Sequence, residues 1–220
     1  MRTVAVISQK GGAGKTTLTV HLAVAAEQDG LKVAVVDLDP QGTARRWGDK
    51  RQAEPEVVGD HAERLTQLMA TAEANGADLL FIDTAPNADR ASLAAARAAD
   101  FILIPCRPAA FDLEAIEATR DVAALAKKPS AVVLNAAPIR SPIVEEAKAG
   151  LEAQGAMVAP VIIHHRVALS HSVIDGRTAL EYEADGKAAE EMRSLFRWTC
   201  GQVGLPTGLG RIAQKLGKAA

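Results

Sequence analysis

Aromatic side chains are scarce: Phe, Trp and Tyr make up 3% of the 220 residues, with two tryptophans and one tyrosine. A core must therefore be built from Ala, Val, Leu and Ile, and the 48% apolar content is enough to bury a sizeable one. Trp47 and Trp198 stand isolated, which excludes a platform of aromatics for stacking bases. Cysteine is nearly absent too. Cys106 and Cys200 lie far apart in no metal or redox spacing, which excludes a disulfide framework and fits a reducing compartment. Neither sign of charge dominates: 25 Lys and Arg against 27 Asp and Glu leave a net −2. The whole molecule is thus no polyanion binder, and affinity for nucleic acid or membrane must come from a local patch. No apolar run approaches the roughly 20 residues that span a bilayer, and no signal peptide precedes the first strand-like stretch. There is no internal repeat. These absences predict a soluble, intracellular protein.

What is present is a recurring unit. A short apolar run ends in a polar or Pro-containing turn, and an Ala-rich helical segment follows. The runs are Thr3–Ser8, Lys32–Asp39, Asp78–Asp83, Phe101–Pro105 and Ser130–Asn135. They are near-continuous rather than alternating, as in strands covered on both faces of a parallel sheet. Helices are predicted from the glycine loop to about Glu27, near Asp112–Ala126, near Pro142–Gln154 and from Gly186 to Val203. Arg45–Asp60 reads as a charged surface excursion, and His164–Tyr182 as short helices and loops. The predicted fold is α/β, a doubly wound, mostly parallel sheet with helices on both faces. Residues 1–203 form one domain in this reading, and 204–220 a short basic, weakly amphipathic tail. Ligands in such sheets bind beyond the carboxyl ends of the strands. The polar residues there are Lys15, Asp37, Asp39, Asp83, Arg107 and Asn135.

The first run leads into "QKGGAGKTT", Gln9–Thr17. Strand, glycine loop, Lys-Thr and helix are the parts of a nucleotide-binding loop. Gly11, Gly12, Ala13 and Gly14 would turn backbone N–H groups toward phosphate oxygens, and Lys15 would place an ammonium on the β- and γ-phosphates. Thr16 supplies a hydroxyl for Mg²⁺, and Thr17 continues the helix N-terminus that favours anions. The strict pattern wants glycine where Gln9 stands, and an extra lysine, Lys10, precedes the first glycine. A dinucleotide pattern fails at its third glycine, which is Thr17. Asp83 ends its strand and suits Mg²⁺ binding through water. Asp37 and Asp39 flank Leu38, so in a regular strand both would face the same way.

The form KGGxGKT[ST] resembles the deviant phosphate loop of the ParA/MinD ATPases. "VVDLDPQG" (Val35–Gly42) looks like the family's switch I motif, "LLFIDTAP" (Leu79–Pro86) like its second acidic motif, and "IPCRPAAFDLEAI" (Ile104–Ile116) like its Pro-rich loop. "DGRTALEY" (Asp175–Tyr182) is similar to a late family stretch, with Gly176 and Glu181 matching. The likeness covers roughly residues 1–185. The loop begins near Met1, so the chain looks like the short partition type that lacks an N-terminal helix-turn-helix domain.

That resemblance implies ATP and Mg²⁺ as cofactors. It makes Asp39 the residue that orients or deprotonates water, and has Asp37 support the metal shell with Thr16 and Asp83. It implies a dimer with two sandwiched ATP molecules, in which Lys10 crosses to the partner's nucleotide and acts as a second catalytic cation beside Lys15. Asn135 stands where relatives place an adenine-reading residue, or else it caps the turn that follows. The implied function is slow, partner-stimulated ATP hydrolysis that segregates or positions plasmid or chromosomal DNA. The partners are a second copy, nonspecific DNA and a centromere- or cargo-binding stimulator, in a cytoplasmic protein that joins the nucleoid with ATP. A MinD-like membrane-surface ATPase, or positioning of a protein organelle, is the alternative.

Charge is uneven. After Glu191 come Arg193, Arg197, Arg211, Lys215 and Lys218, with no acid among them. Such a patch can bind phosphate backbones without sequence preference. Glu190 and Arg193, three apart on one helix, can instead pair. In the tail, Leu209, Ile212, Ala213 and Leu216 share a helical face, but the helix is short and carries no aromatic anchor, so it is a weak membrane binder. His164 and His165 are adjacent and lack the spacing of two ligands on one helix face.

Overall fold

The computed structural model describes residues 1–86, 89–109, 112 and 115–208. In chain order the elements are β1 (Arg2–Val6), α1 (Lys15–Gln28), β2 (Val33–Asp37), α2 (Thr43–Arg51), β3 (Glu56–Gly59), α3 (Leu65–Ala74), β4 (Leu79–Asp83), α4 (Asp89–Ala98), β5 (Phe101–Cys106), α5 (Ile116–Ala126), β6 (Ser130–Leu134), α6 (Pro142–Ala153), α7 (Val167–His171), α8 (Ala179–Tyr182) and α9 (Lys187–Gln202). The described strands form one sheet in the order β3-β2-β4-β1-β5-β6, and every pairing is parallel.

The non-alternating runs have the meaning predicted for them. Successive residues of each strand enter cores on opposite faces. Val4, Val6, Val35, Phe81, Leu103 and Val133 join α1 and α9 on one side. Ala5, Val36, Ile82, Ile104 and Leu134 join α4, α5 and α6 on the other. Because the pleat sends neighbours to opposite faces, a strand apolar throughout can only sit between two helical layers. Helix α1 lies deep in one of them, with every residue from Leu18 to Ala26 buried.

One stretch differs from the sequence expectation. Arg45–Asp60 is no excursion: it completes α2 and forms β3, an edge strand on β2. With two valines between Glu56 and Gly59, and only partial burial, β3 gives little apolar signal. Helix α3 follows with a single fully buried residue, Leu65. At the other end, the described start of the tail is tied to the domain. Leu205 N–H donates to Cys200 O at 2.9 Å, and Gly208 N–H donates to the Asp29 carboxylate at 3.0 Å. The amphipathic tail face from Leu209 onward lies outside the described residues.

Helix α2 is docked through its C-terminal half. Trp47 is 4% exposed, and its indole N–H donates to Arg177 O at 3.0 Å. Arg51 pairs with Glu181 at 2.9 Å and donates to Gly176 O at 3.1 Å. Glu181 also completes a reciprocal cap with Thr178 at the start of α8. Nearby Glu27 has its carboxyl pushed up to about 7, first by burial, then by Glu54, with Arg51 opposing and Glu181 adding. Its folded state therefore holds the proton more tightly than the unfolded chain. The stability it contributes is full below about 4.5 and disappears as pH rises through about 7. We expect Glu27→Gln to flatten the fall in urea stability across that window. Parallel pH profiles for variant and wild type would refute it.

Candidate nucleotide site

Register brings the site together. Val6 of β1 and Asp37 of β2 are both level with Asp83 of β4, so two aspartates and the root of the glycine loop meet at the carboxyl edge of the sheet. The Thr84 hydroxyl donates to Val6 O at 3.0 Å and fixes the two strand ends. The loop is also held from α5, where Thr119 Oγ1 accepts the Gln9 N–H at 3.1 Å.

Lys15 opens α1 and is 6% exposed. Its ammonium donates to the carbonyls of Ser8, at 3.1 Å, and Lys10, at 3.4 Å. Burial lowers its pKa, while Asp83 and Asp39 pull it back up. One residue on, Thr16 Oγ1 donates to Asp83 Oδ2 at 2.6 Å, and Thr19 Oγ1 reaches the other oxygen at 3.5 Å. Asp83 is fully buried. Burial pushes its carboxyl up to about 7, opposed by the Thr16 hydrogen bond, raised again by Asp37, lowered by Lys15 and raised by Asp39.

Asp37 and Asp39 do not project together from one strand, as regular alternation predicted. β2 ends at Asp37. The Asp37 carboxylate accepts the N–H of Asp39 and of Arg45, each at 3.0 Å, so it caps α2 from outside the helix. Burial raises its pKa, and these backbone bonds oppose the shift. Capping turns the chain out of the ladder, which leaves Asp39 half-buried in the following turn. There Asp39 Oδ1 accepts the Gln41 N–H at 2.9 Å. Asp39 stays close enough to act electrostatically on both Lys15 and Asp83.

Asn135 is 4% exposed, and its amide donates to Ala13 O at 2.7 Å. That donor is committed to the loop, which competes with the expected reading of adenine. Lys10 is half-buried. Its N–H donates to Ser8 Oγ at 3.3 Å, and its ammonium is bonded to no described residue. Arg107, whose place at a strand end was noted without a role, donates through Nε to Gly12 O at 3.0 Å. Sequence reasoning missed His21 altogether. Its Nε2 accepts the Ala179 N–H at 3.1 Å while Nδ1 meets Thr17 O at 2.8 Å, and burial depresses its pKa to about 4. A neutral ring thus ties the phosphate-loop helix to α8.

These parts fit a magnesium nucleotide. An oxygen-only set of hydroxyl and carboxylate suits a hard divalent cation, and a buried ammonium beside a helix N-terminus suits polyphosphate. The sequence matches the family described as CobQ/CobB/MinD/ParA nucleotide binding domain over residues 4–179. The chain belongs to this family of P-loop ATPases. It is 31% identical over 206 residues to "Maintenance of carboxysome distribution protein A" of Halothiobacillus neapolitanus, spanning 88% of this chain and 94% of that one. To the protein of the same name from Gloeobacter kilaueensis it is 35% identical over 211 residues, spanning 89% and 96%. Its fold matches that of the septum site-determining protein MinD complexed with Mg-ADP from Pyrococcus horikoshii. The TM-score is 0.71 at 19% identity, over 90% of this chain and 95% of that one.

Away from this site, Glu190 pairs with Lys187 at 2.8 Å, not with Arg193. Arg193 instead donates to Ala184 O at 2.7 Å, and exposed Arg197 donates to Ser194 Oγ at 3.2 Å. Both arginines lie on α9. Arg211, Lys215 and Lys218 lie outside the described residues. His164 and Arg166 share Glu191, at 2.9 and 2.7 Å, so His164 serves an ion-pair cluster on α9. Burial pushes the Cys106 thiol up to about 12, which makes it inert. No helix among the described residues is long and apolar enough to cross a membrane.

Proposed function

We propose that this ATPase is a ParA-type positioning machine. It binds Mg·ATP, forms a face-to-face dimer, holds nonspecific DNA as that dimer, and hydrolyses ATP slowly until a cargo-bound partner accelerates the step. We assign it a large protein assembly of the microcompartment kind as cargo. The observation that carries this assignment is the near full-length match to two carboxysome distribution proteins. Segregation of plasmid or chromosomal DNA, favoured by the motifs alone, uses the same chemistry on a different cargo.

The roles follow from placement. Bound Mg·ATP supplies the phosphoryl group and the divalent charge. Lys15 and the loop N–H groups hold the phosphates of their own subunit. Thr16 would hold the metal through its hydroxyl, and Asp83, hydrogen-bonded to Thr16, would support it through water. Asp37 acts one step back, by holding α2 and the turn that carries Asp39. Asp39 orients the attacking water or takes its proton. Lys10 reaches the partner's nucleotide, where a second cation offsets charge developing in the transition state. Arg193 and Arg197 are candidate DNA contacts, together with Arg211, Lys215 and Lys218.

Co-sedimentation with plasmid DNA or anionic vesicles tests this, with ATP or ADP across a salt series. We expect ATP-dependent retention on DNA that falls with salt. Lys10→Ala should still bind ATP but lose both dimerisation and retention, and normal dimerisation by that variant would remove the crossing role. Retention on vesicles alone would make this a membrane-surface ATPase. In cells, deleting the gene should cluster the protein organelle while plasmids stay stable. Plasmid loss without clustering would return the cargo to DNA.

A further inference from the structure

The loop that leaves β1 has neighbours on the side away from Asp83, and the roles above do not use them. β5 lies beside β1, and β6 beside β5. Each ends one residue before a side chain that reaches back to the glycine loop: Arg107 after Cys106, and Asn135 after Leu134. The Asn135 N–H donates to Cys106 O at 2.7 Å, so the two strand ends move as one. Arg107 donates to Gly12 O through Nε at 3.0 Å and through Nη2 as well. Asn135 Nδ2 donates to Ala13 O, the next carbonyl, at 2.7 Å.

Two successive carbonyls held from one side have a definite consequence. In a trans peptide the C=O and the following N–H point in opposite directions. Drawing Gly12 O toward Arg107 turns the Ala13 N–H away from β5, and drawing Ala13 O toward Asn135 does the same for the Gly14 N–H. Neither N–H donates to any described residue. Glycine suits position 12 because its φ is +71°. A Cβ there would lie 2.5 Å from Arg107 Nη2, so the guanidinium would have to move off the loop. The guanidinium therefore occupies the space a side chain would take.

We propose that Arg107 is a positioning residue of the phosphate loop. With Asn135 it holds two consecutive loop carbonyls outward, and so aims two consecutive backbone N–H groups at the phosphates of a nucleoside di- or triphosphate. The inference rests on the nucleotide-site reading above. It differs from a direct phosphate contact in what it predicts. A residue that shapes the cradle affects every ligand the cradle holds, whereas a cation on the γ-phosphate favours ATP over ADP and is screened by salt. A planar guanidinium can place two donors on one oxygen, and a lysine ammonium cannot reproduce that fork.

The test measures Mg·ADP and Mg·ATP affinity by titration calorimetry for wild type, Arg107→Ala, Arg107→Lys and Lys15→Ala at low and high salt, with thermal unfolding of each nucleotide-free protein. Arg107→Ala should weaken ADP and ATP by the same factor, roughly tenfold or more, as expected for losing a charge-assisted hydrogen bond to the loop. The factor should hold at high salt. KM for ATP should rise far more than kcat falls, and nucleotide-free thermal stability should fall only slightly, as for losing one surface hydrogen bond. Arg107→Lys should recover only part of the affinity, equally for both nucleotides. Three results overturn the proposal: unchanged affinity in Arg107→Ala, a loss confined to ATP that shrinks with salt, or full recovery by lysine. If Lys15→Ala also binds normally, the phosphate-loop reading itself has failed.

Discussion

Lys15→Ala abolishes nucleotide binding at any concentration the wild type needs, with an affinity loss of roughly a hundredfold or more. The size follows from where the ammonium sits. It is buried, its hydrogen bonds among the described residues reach only the two loop carbonyls of Ser8 and Lys10, and burial has already lowered its pKa. An ammonium in that position has lost most of its water, and a phosphate oxygen would give it a stronger partner than either carbonyl. The same reasoning predicts a second, less intuitive result. Removing a desolvated cation relieves a cost that folding otherwise bears, while Asp83, already pushed up to about 7, can take a proton when the cation is gone. Lys15→Ala should therefore unfold at a temperature equal to or above that of the nucleotide-free wild type. Titration with Mg·ADP and thermal melts check both halves. Wild-type affinity would remove the phosphate-loop assignment, and a marked drop in melting temperature would show that Lys15 holds the loop together rather than waiting for a ligand.

How much of this was legible beforehand differs between the fold and the site, for physical reasons. The central strands were plain because burial on both faces leaves no polar position in the run, as in Phe101–Cys106. β3 was not, because this edge strand is short and only partly buried, and its two valines, Val57 and Val58, point to opposite faces, so neither face shows an apolar run. Within the site, the placement of Lys15 and Thr16 was legible because they follow one strand and one loop at the start of one helix, and that of Asp83 because it ends a buried apolar strand. Asp37 was legible as a site residue but not in its task. Where its carboxylate points depends on where α2 begins, and that is set by the turn at Asp39–Gly42. Arg107, Asn135 and His21 act across sheet or helix neighbours. Nothing local marks them, apart from a polar residue standing directly after a buried apolar run, and that signal does not say which carbonyl the side chain will find.

The turn that carries Asp39 also sets the hardest test of the chemistry. Asp39→Ala should keep ATP affinity near wild type and lower turnover by roughly a hundredfold to ten-thousandfold, the range expected when a general base is removed. Nucleotide exchange should slow, and the ATP-bound dimer should persist by light scattering. Alanine alone leaves an ambiguity, because Asp39 Oδ1 also accepts the Gln41 N–H at 2.9 Å, and losing that bond loosens the turn above α2. Asp39→Asn separates the two effects. Its amide oxygen can still accept from Gln41, but it carries no charge and cannot take a proton from water. If Asp39 acts on the water, asparagine should be as slow as alanine, while the melting temperature of asparagine stays with wild type. If asparagine restores turnover, the carboxylate only shapes the turn, and the attacking water must be handled by another group. In that case Asp83 is poorly suited to replace it, because it already accepts from Thr16 at 2.6 Å.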